Sequence, residues 1–401
     1  MLDPQPFRPT PSPVARLVTA PRRHPRFGLL GHAPALDGLR GVAVVLVVLF
    51  HFVGRYTLHG GWAGVDVFFG LSGFLITALI LDELRVHGRV SVARFYARRA
   101  CRLLPALLFL LAVWTVLLLL FHDQHWLAAT PSGDGTGRAV DVPKALTDLG
   151  VALVYLANWN VVDGGMEAPL SHLWSLAVEE QFYLIWPALL LGLLVLRRRW
   201  RLALVLGLIA VSAALPFLHW DGGAGRNRIY FGTDTRAVGL LAGAFAALVW
   251  HERHAVGRVA RYGGQRAGAA LVVLAFVTWQ AGNTPGKFLV LPALLGLAVA
   301  QLVPYLADGH GRLSRALSVR WLVWLGQRSY GLYLWHYLWA TWLHPVGLWP
   351  GMPLGLAGAL VCTQVSWVLV EAPALRFGRR FRVATAPAPA HAPASPALQA
   401  A

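Results

Sequence analysis

Apolar stretches of about 18 residues or more recur along nearly the whole 401-residue chain, separated by short polar blocks. A stretch of that length crosses a bilayer as one helix. The pattern predicts ten membrane helices, at about 38–57, 62–83, 103–122, 170–196, 202–219, 233–250, 267–281, 286–306, 321–343 and 351–370. The expected fold class is therefore all-α, a polytopic integral membrane protein. The segment 146–162 fits less well: its run LTDLGVALVYLANW, about 14 apolar-leaning residues, is shorter than a span needs. Counting it as a crossing would put the basic block RRRWR on the opposite side, so a re-entrant or interfacial segment is expected there. Residues 1–33, with Arg16, Arg22, Arg23 and Arg26 among prolines, read as a disordered basic tail. The membrane domain is expected over 34–376, followed by an Ala/Pro-rich disordered tail over 377–401.

Composition sharpens this picture. Hydrophobic residues make up 57% of the chain and charged residues 13%, against about 25% charged in an ordinary soluble domain. Soluble-enzyme, nucleic-acid-binding and fibrous readings are excluded, and the lipid bilayer is the expected environment. The formal net charge of +17 is gathered in short arginine blocks at 85–102, 197–201, 251–266, 307–320 and after 375. By the positive-inside rule these blocks are cytoplasmic, which places the protein in the cell membrane with both termini inside. Cys101 and Cys362 form no disulfide framework. No cleavage site follows the first apolar run, which is expected to remain as a helix.

Ionisable side chains at membrane depth are costly and so point to function. Arg40, in Asp37-Gly38-Leu39-Arg40, and His51 are eleven residues apart, about 20° from three full turns and roughly 16 Å of rise. They share one helix face, with Arg40 near the inner surface and His51 beyond the middle. A neutral imidazole in a protected cavity is a good general base; its ordinary alternative is a packing histidine. In GVDVFFGLSGFLIT, Gly70, Ser72 and Gly73 read first as helix-packing residues. Asp66 is positioned to orient His51 across the helix pair. The block FYARRACRLLP brings Arg98, Arg99 and Arg102 to the inner surface. It serves either as a topology signal or as a fork of guanidiniums for a phosphate-bearing donor, with Arg40 at the same level.

Outer-side chemistry is expected in SHLWSLAVEEQFY, where Ser175, Glu179 and Phe182 share one face and Trp174 shares another with Gln181. Glu179 at the start of a span calls for a task, whereas Glu180 reads equally well as an interfacial loop residue. In RNRIYFGTDTRAVGLLAG, Arg226, Arg228 and Arg236 run against positive-inside. The ordinary reading is an Asp234–Arg236 structural pair, the alternative a function. Arg328, Ser329, Tyr330, Tyr333 and His336 lie inside one further span. An aromatic belt accounts for the tyrosines but not for Arg328 or His336.

These motifs together resemble the acyltransferase-3 family of integral membrane O-acyltransferases, which modify sugars with a cytoplasmic acyl-CoA donor. The resemblance covers roughly 34–376. It rests on DGLRG with the Arg40–His51 spacing, GVDVFFGLSGFLIT, RRACRLLP, SHLWSLAVEEQFYLIWP, TDTRAVGLLAG, SYGLYLWH and the closing VEAP with Glu371, in that order. It implies ten helices with both termini inside, and an acyl group, short such as acetyl, moved from acyl-CoA to a hydroxyl of a carbohydrate or glycosylated acceptor. Arg40, Arg99 and Arg102 would face the donor phosphates, and His51 would act as base or acyl relay. Glu179, Tyr330 and His336 would line the acceptor path. Asp66 joins His51 and Glu179 as a catalytic candidate, with Trp174, Ser175, Gln181 and Arg236 in support. No permanently bound cofactor and no metal site are expected; acyl-CoA is a co-substrate. The chain shows no SGNH-type hydrolase domain, which some members append, so transfer is expected to finish on the membrane domain or on a partner. A transporter using the same buried His, Arg and Glu as a proton or anion path is the competing reading, and an inactive scaffold a third.

Overall fold

The computed structural model describes residues 33–53, 59–123, 140–166, 168–222, 225–255, 263–280, 287–309, 311–343 and 348–381. Nearly all of both expected tails lies outside these residues, as does 54–57 of the first predicted span. Every described element is helical: α1 (Pro34–Val53), α2 (Ala63–His87), α3 (Val92–Phe121), α4 (Val142–Leu153), α5 (Ala157–Val162), α6 (Ala168–Ser171), α7 (Trp174–Val195), α8 (Arg198–Leu218) and α9 (Arg226–Phe231). They continue as α10 (Thr233–Ala255), α11 (Gly263–Gln280), α12 (Lys287–Ala307), α13 (Gly311–Leu317), α14 (Arg320–Gln327), α15 (Ser329–Trp342), α16 (Leu348–Ser366) and α17 (Ala372–Gly378). Seven of the described helical segments are long and apolar enough to cross a membrane. Large apolar side chains such as Leu119, Leu120, Leu184, Ile185 and Val211 stand exposed on their outer faces. Helices satisfy their own backbone groups, so apolar flanks of this kind sit in lipid without penalty. The chain is a multi-pass membrane protein.

Three predicted boundaries are corrected. The third span does not begin at 103 after a basic loop: α3 starts at Val92, so Arg98, Arg99 and Arg102 project from a helix rather than from a loop. The single span expected at 321–343 is two helices, α14 and α15, broken at Arg328 (φ −99°, ψ 3°). The polar step Gln327-Arg328-Ser329 interrupts the apolar run, and the Arg328 guanidinium is held between Trp324 and Trp367 and bonded to Gln364. The last span runs past 370 through a π-helical turn, Trp367–Glu371, into α17. Pro373 has no N–H to continue the α-ladder, and the Ala372 N–H instead reaches the Trp367 carbonyl five residues back. The doubtful segment at 146–162 is the short pair α4 and α5, the first capped by the Asp141 side chain on the Lys144 N–H at 3.1 Å. Its 12 residues rise roughly 18 Å, well short of a bilayer core.

Helix α2 lies at the centre, packed against α1, α7, α10 and α12. Its small residues make this possible. A Cβ on Gly73 would meet the Leu240 carbonyl of α10, and a Cβ on Gly243 would meet the Gly70 carbonyl, so the two backbones touch directly. Gly70 and Gly73 are packing residues, as their sequence context suggests. Gly73→Val should lower stability by about 1–3 kcal/mol, read as a fall in the thermal midpoint of detergent-purified protein. Gly192→Ala, at a position with open space around it, should leave the midpoint unchanged.

Candidate active site

Helices α1, α2, α3, α7, α15 and α17 enclose a cavity of about 730 Å³. On α2 the lining positions run from Val65 to His87, a rise of roughly 33 Å. One end of the cavity lies at helix termini, beside Ala33, His87 and Gly378, and is rich in charge: Asp37, Arg40, Glu83, Arg98, Arg99, Arg102 and Arg379. The middle is walled by Phe68, Leu75 and Ile76, and the far end by Phe69, Ser175 and Tyr333.

Opposite charges account for two of the five arginines. Arg98 bonds Glu83 at 2.8 Å and the Phe381 carbonyl at 3.0 Å, which seats the end of the described chain at the cavity mouth. Arg99 pairs with Glu180 at 3.1 Å and lies 3.4 Å over the Tyr183 ring. Glu180 is thus an ion-pair partner rather than an interfacial loop residue, and α7 brings it to the level of the α3 arginines. Glu179 accepts from Ser72 Oγ at 3.0 Å and from Tyr183 Oη at 3.3 Å. Ser72 therefore hydrogen-bonds a half-buried carboxylate, a contact its packing motif did not reveal. Arg40 and Arg102 line the same cavity, and neither forms an ion pair among the described residues. Arg102 also stands in the repulsive field of Arg40 and Arg99. The mouth of the cavity thus carries uncompensated positive charge.

Beyond the far end lie three histidines. Tyr333 Oη donates to the His172 carbonyl at 2.7 Å, so in its 2.6 Å contact with Ser175 it is the acceptor. This pair closes the cavity. Behind it, His336 Nε2 is 3.1 Å from His51 Nδ1, and the His172 and His336 rings are 5.9 Å apart. Tyr337 packs edge-on against His51 and stacks on His172, each at 4.8 Å. His172 and His336 are buried, whereas His51 is half-buried. Neither His51 nor His336 lines the cavity; Tyr330 does, and it donates to the Leu103 carbonyl at 3.0 Å.

Asp66 does not orient His51. Its carboxylate meets Arg236 at 2.9 Å, and both side chains are only 1% exposed. Phe69, Trp174 and Tyr230 surround the Arg236 guanidinium, with ring centroids 5.6, 5.6 and 5.1 Å away. The anticipated Asp234–Arg236 pair is replaced as well. Asp234 takes both Nη atoms of Arg228, at 2.8 and 2.7 Å, and holds that guanidinium above its ordinary pKa. The i to i+2 spacing on α10 turns Asp234 and Arg236 to different sides. Gln181 faces away from the cavity. It donates to the Tyr155 carbonyl at 2.8 Å and to Asn158 at 2.9 Å and accepts from Thr233 at 2.5 Å, tying α5 to α7 and α10.

Sequence reasoning passes over His172, Tyr183 and Tyr337. The signal for His172 was available, since it stands beside Ser171 in the same SHLWS block as Ser175. Tyr183 and Tyr337 carry none, because an aromatic residue in an apolar run looks like core.

The acyltransferase domain family matches residues 34–371. The chain belongs to this acyltransferase family. It is 32% identical to the peptidoglycan O-acetyltransferase OatA of Listeria monocytogenes, over 86% of this chain and 56% of that protein. It is 35% identical to the putative peptidoglycan O-acetyltransferase YrhL of Bacillus subtilis, over 76% and 48%. A putative O-acetyltransferase of Staphylococcus aureus is 30% identical over 87% and 58%. The chain spans about half the length of these curated relatives. No solved structure matches it.

The buried Asp66–Arg236 pair is directly testable. Asp66→Ala leaves a buried guanidinium unmatched and should cost about 3–5 kcal/mol, and Arg236→Met should do the same to the carboxylate. Removing both charges together, as Asp66→Asn with Arg236→Met, should restore much of the loss in thermal unfolding of the purified protein.

Proposed function

We propose that this protein transfers an acyl group, short such as acetyl, from acyl-CoA to a hydroxyl of a carbohydrate or glycosylated acceptor. One observation carries the reading. A single cavity has at its mouth three arginines, Arg40, Arg102 and Arg379, that form no ion pair among the described residues; it has an apolar middle and ends at a tyrosine–serine bond with a histidine pair behind it. Guanidiniums without carboxylate partners suit the phosphates of coenzyme A. A narrow apolar bore suits pantetheine and a short acyl chain. The arginine-lined mouth is assigned to the cytoplasm, with both termini on that side, because the basic blocks favour it and because the donor is made there. The peptidoglycan acetylation named for the relatives favours a cell-envelope glycan as acceptor.

In the proposed reaction His51 Nε2 takes the proton of the acceptor hydroxyl as its oxygen attacks the thioester carbonyl. The C–S bond breaks, and the departing thiolate recovers the proton from His51. The half-buried position of His51 leaves it open to an acceptor, while the thioester meets it where Tyr333 and Ser175 part. Arg99 and Glu179 shape the donor passage, and the Asp66–Arg236 pair holds the helices around it.

The test is binding and slow hydrolysis of acetyl-CoA by protein in nanodiscs, followed by free-thiol release. Wild type should bind and release thiol. His51→Ala should bind with unchanged affinity and release none above background. Arg102→Ala and Arg40→Ala should each weaken binding by about 10- to 100-fold, the loss of one charge-assisted contact. Absence of acyl-CoA binding in folded protein would overturn the proposal and leave the transport reading in its place.

A further inference from the structure

The hydrogen-bond partners of the two paired histidines fix where each proton sits. His336 Nδ1 faces two backbone carbonyls, Tyr333 O at 2.7 Å and Leu332 O at 3.2 Å. A carbonyl only accepts, so Nδ1 carries the hydrogen, and in a neutral ring Nε2 is left with a lone pair. That lone pair faces His51 Nδ1 at 3.1 Å. His51 Nδ1 is in turn 2.9 Å from the Val47 carbonyl, which again requires a hydrogen on it. One N–H shared between Val47 O and His336 Nε2 satisfies both contacts, and it leaves the basic lone pair of His51 on Nε2. With both rings neutral, the arrangement is self-consistent only in this form. A doubly protonated His336 would aim a second N–H at a hydrogen-bearing His51 Nδ1. It would also put a charge on a side chain that is 0% exposed and has no acidic partner among the described residues.

We infer that His336 is a positioning residue: its Nε2 lone pair fixes His51 as the Nδ1–H tautomer and holds its Nε2 ready as the base. The inference rests on the proposed role of His51 and adds to it. Orientation of a catalytic imidazole through its other nitrogen is usually given to a carboxylate or a carbonyl; here the Val47 carbonyl and a second imidazole share the task. The carboxylate expected to orient His51, Asp66, is engaged by Arg236, and among the described residues no acid pairs with His51 or His336. His172 takes no part in the pair. Its Nε2 is 3.2 Å from the Leu334 carbonyl.

Side-chain geometry makes the inference separable from a packing role. A glutamine at 336 can present its amide oxygen where Nε2 stands and accept from His51. An asparagine reaches only the Nδ1 position and keeps the backbone bond alone. With acetyl-CoA as donor, His336→Asn and His336→Ala should lower kcat for thiol release by about 30- to 300-fold with KM unchanged. His336→Gln should recover at least tenfold of that loss. Nitrogen-15 histidine spectra of protein in nanodiscs, with the His51 signal assigned by its absence in His51→Ala, should show a protonated Nδ1 in wild type and in His336→Gln. In His336→Asn, where the Val47 carbonyl is left as the acceptor for His51 Nδ1, the spectra should show a partial shift toward the Nε2–H tautomer. Equal thermal midpoints and equal acetyl-CoA affinities in all four proteins establish that each is folded. Should His336→Asn match His336→Gln in kcat, or should the His51 tautomer be the same in every variant, His336 is a packing residue and the inference is overturned. Activity surviving in His51→Ala would instead overturn the role given to His51, and the tautomer spectra would still report on the His336–His51 bond.

Discussion

A guanidinium below the surface of a bilayer has to be met by the protein, because nothing in the hydrocarbon can meet it. This requirement orders the molecule. Arg236 is met by Asp66 inside a cage of three aromatic rings, Arg99 by Glu180 and the face of Tyr183, and Arg201 by Glu252. Each of these pairs joins two different helices, so satisfying the charge also fixes which helices lie side by side. Arg40 and Arg102 escape the pattern, and they do so at the mouth of the cavity. The charge left over after the bundle is assembled is what a ligand can use.

The cavity and the histidine cluster are neighbours without being continuous. Tyr333 lines the first and contacts the second, and its hydroxyl is engaged on both sides, by Ser175 and by the His172 carbonyl. In the proposed reaction, a separation of this kind would let the two substrates approach from different directions. An activated thioester exposed continuously to a base and to water would be hydrolysed, so a closed partition favours transfer over loss.

Much of this was legible in the sequence, and the remainder was hidden for identifiable reasons. The apolar period and the arginine blocks locate the helices, and the eleven-residue interval predicts Arg40 and His51 on one face of a helix; α1 contains both, and of the two Arg40 lines the cavity. Interhelical pairing was beyond reach. Asp66 has Arg236 as its partner, 170 residues away in sequence, and no spacing rule on α2 or α10 reports that contact. Arg98, Arg99 and Arg102 were read as a loop because polar residues end a hydropathy window, yet a helix can extend beyond the apolar core when its polar turn is paired, as α3 is through Glu83 and Glu180. The break at Arg328 was masked because the apolar run continues on both sides of it.

The glycine contacts between α2 and α10 have a consequence for traffic through the molecule. A helix whose backbone rests directly on its neighbour has no side-chain cushion, so it can neither tilt nor slide without lifting off. Because α2 forms one wall of the cavity along nearly its full length, that wall is a fixed rail. Any change in the width of the passage then falls to the other walls, where Tyr183, Arg102 and Tyr333 present long side chains to the cavity. Rotamer changes of side chains are fast compared with movements of whole helices. The bore therefore works less like a pair of jaws than like a rigid pipe with hinged vanes, and the gauge of the pipe is set by helix packing far from the reacting atoms.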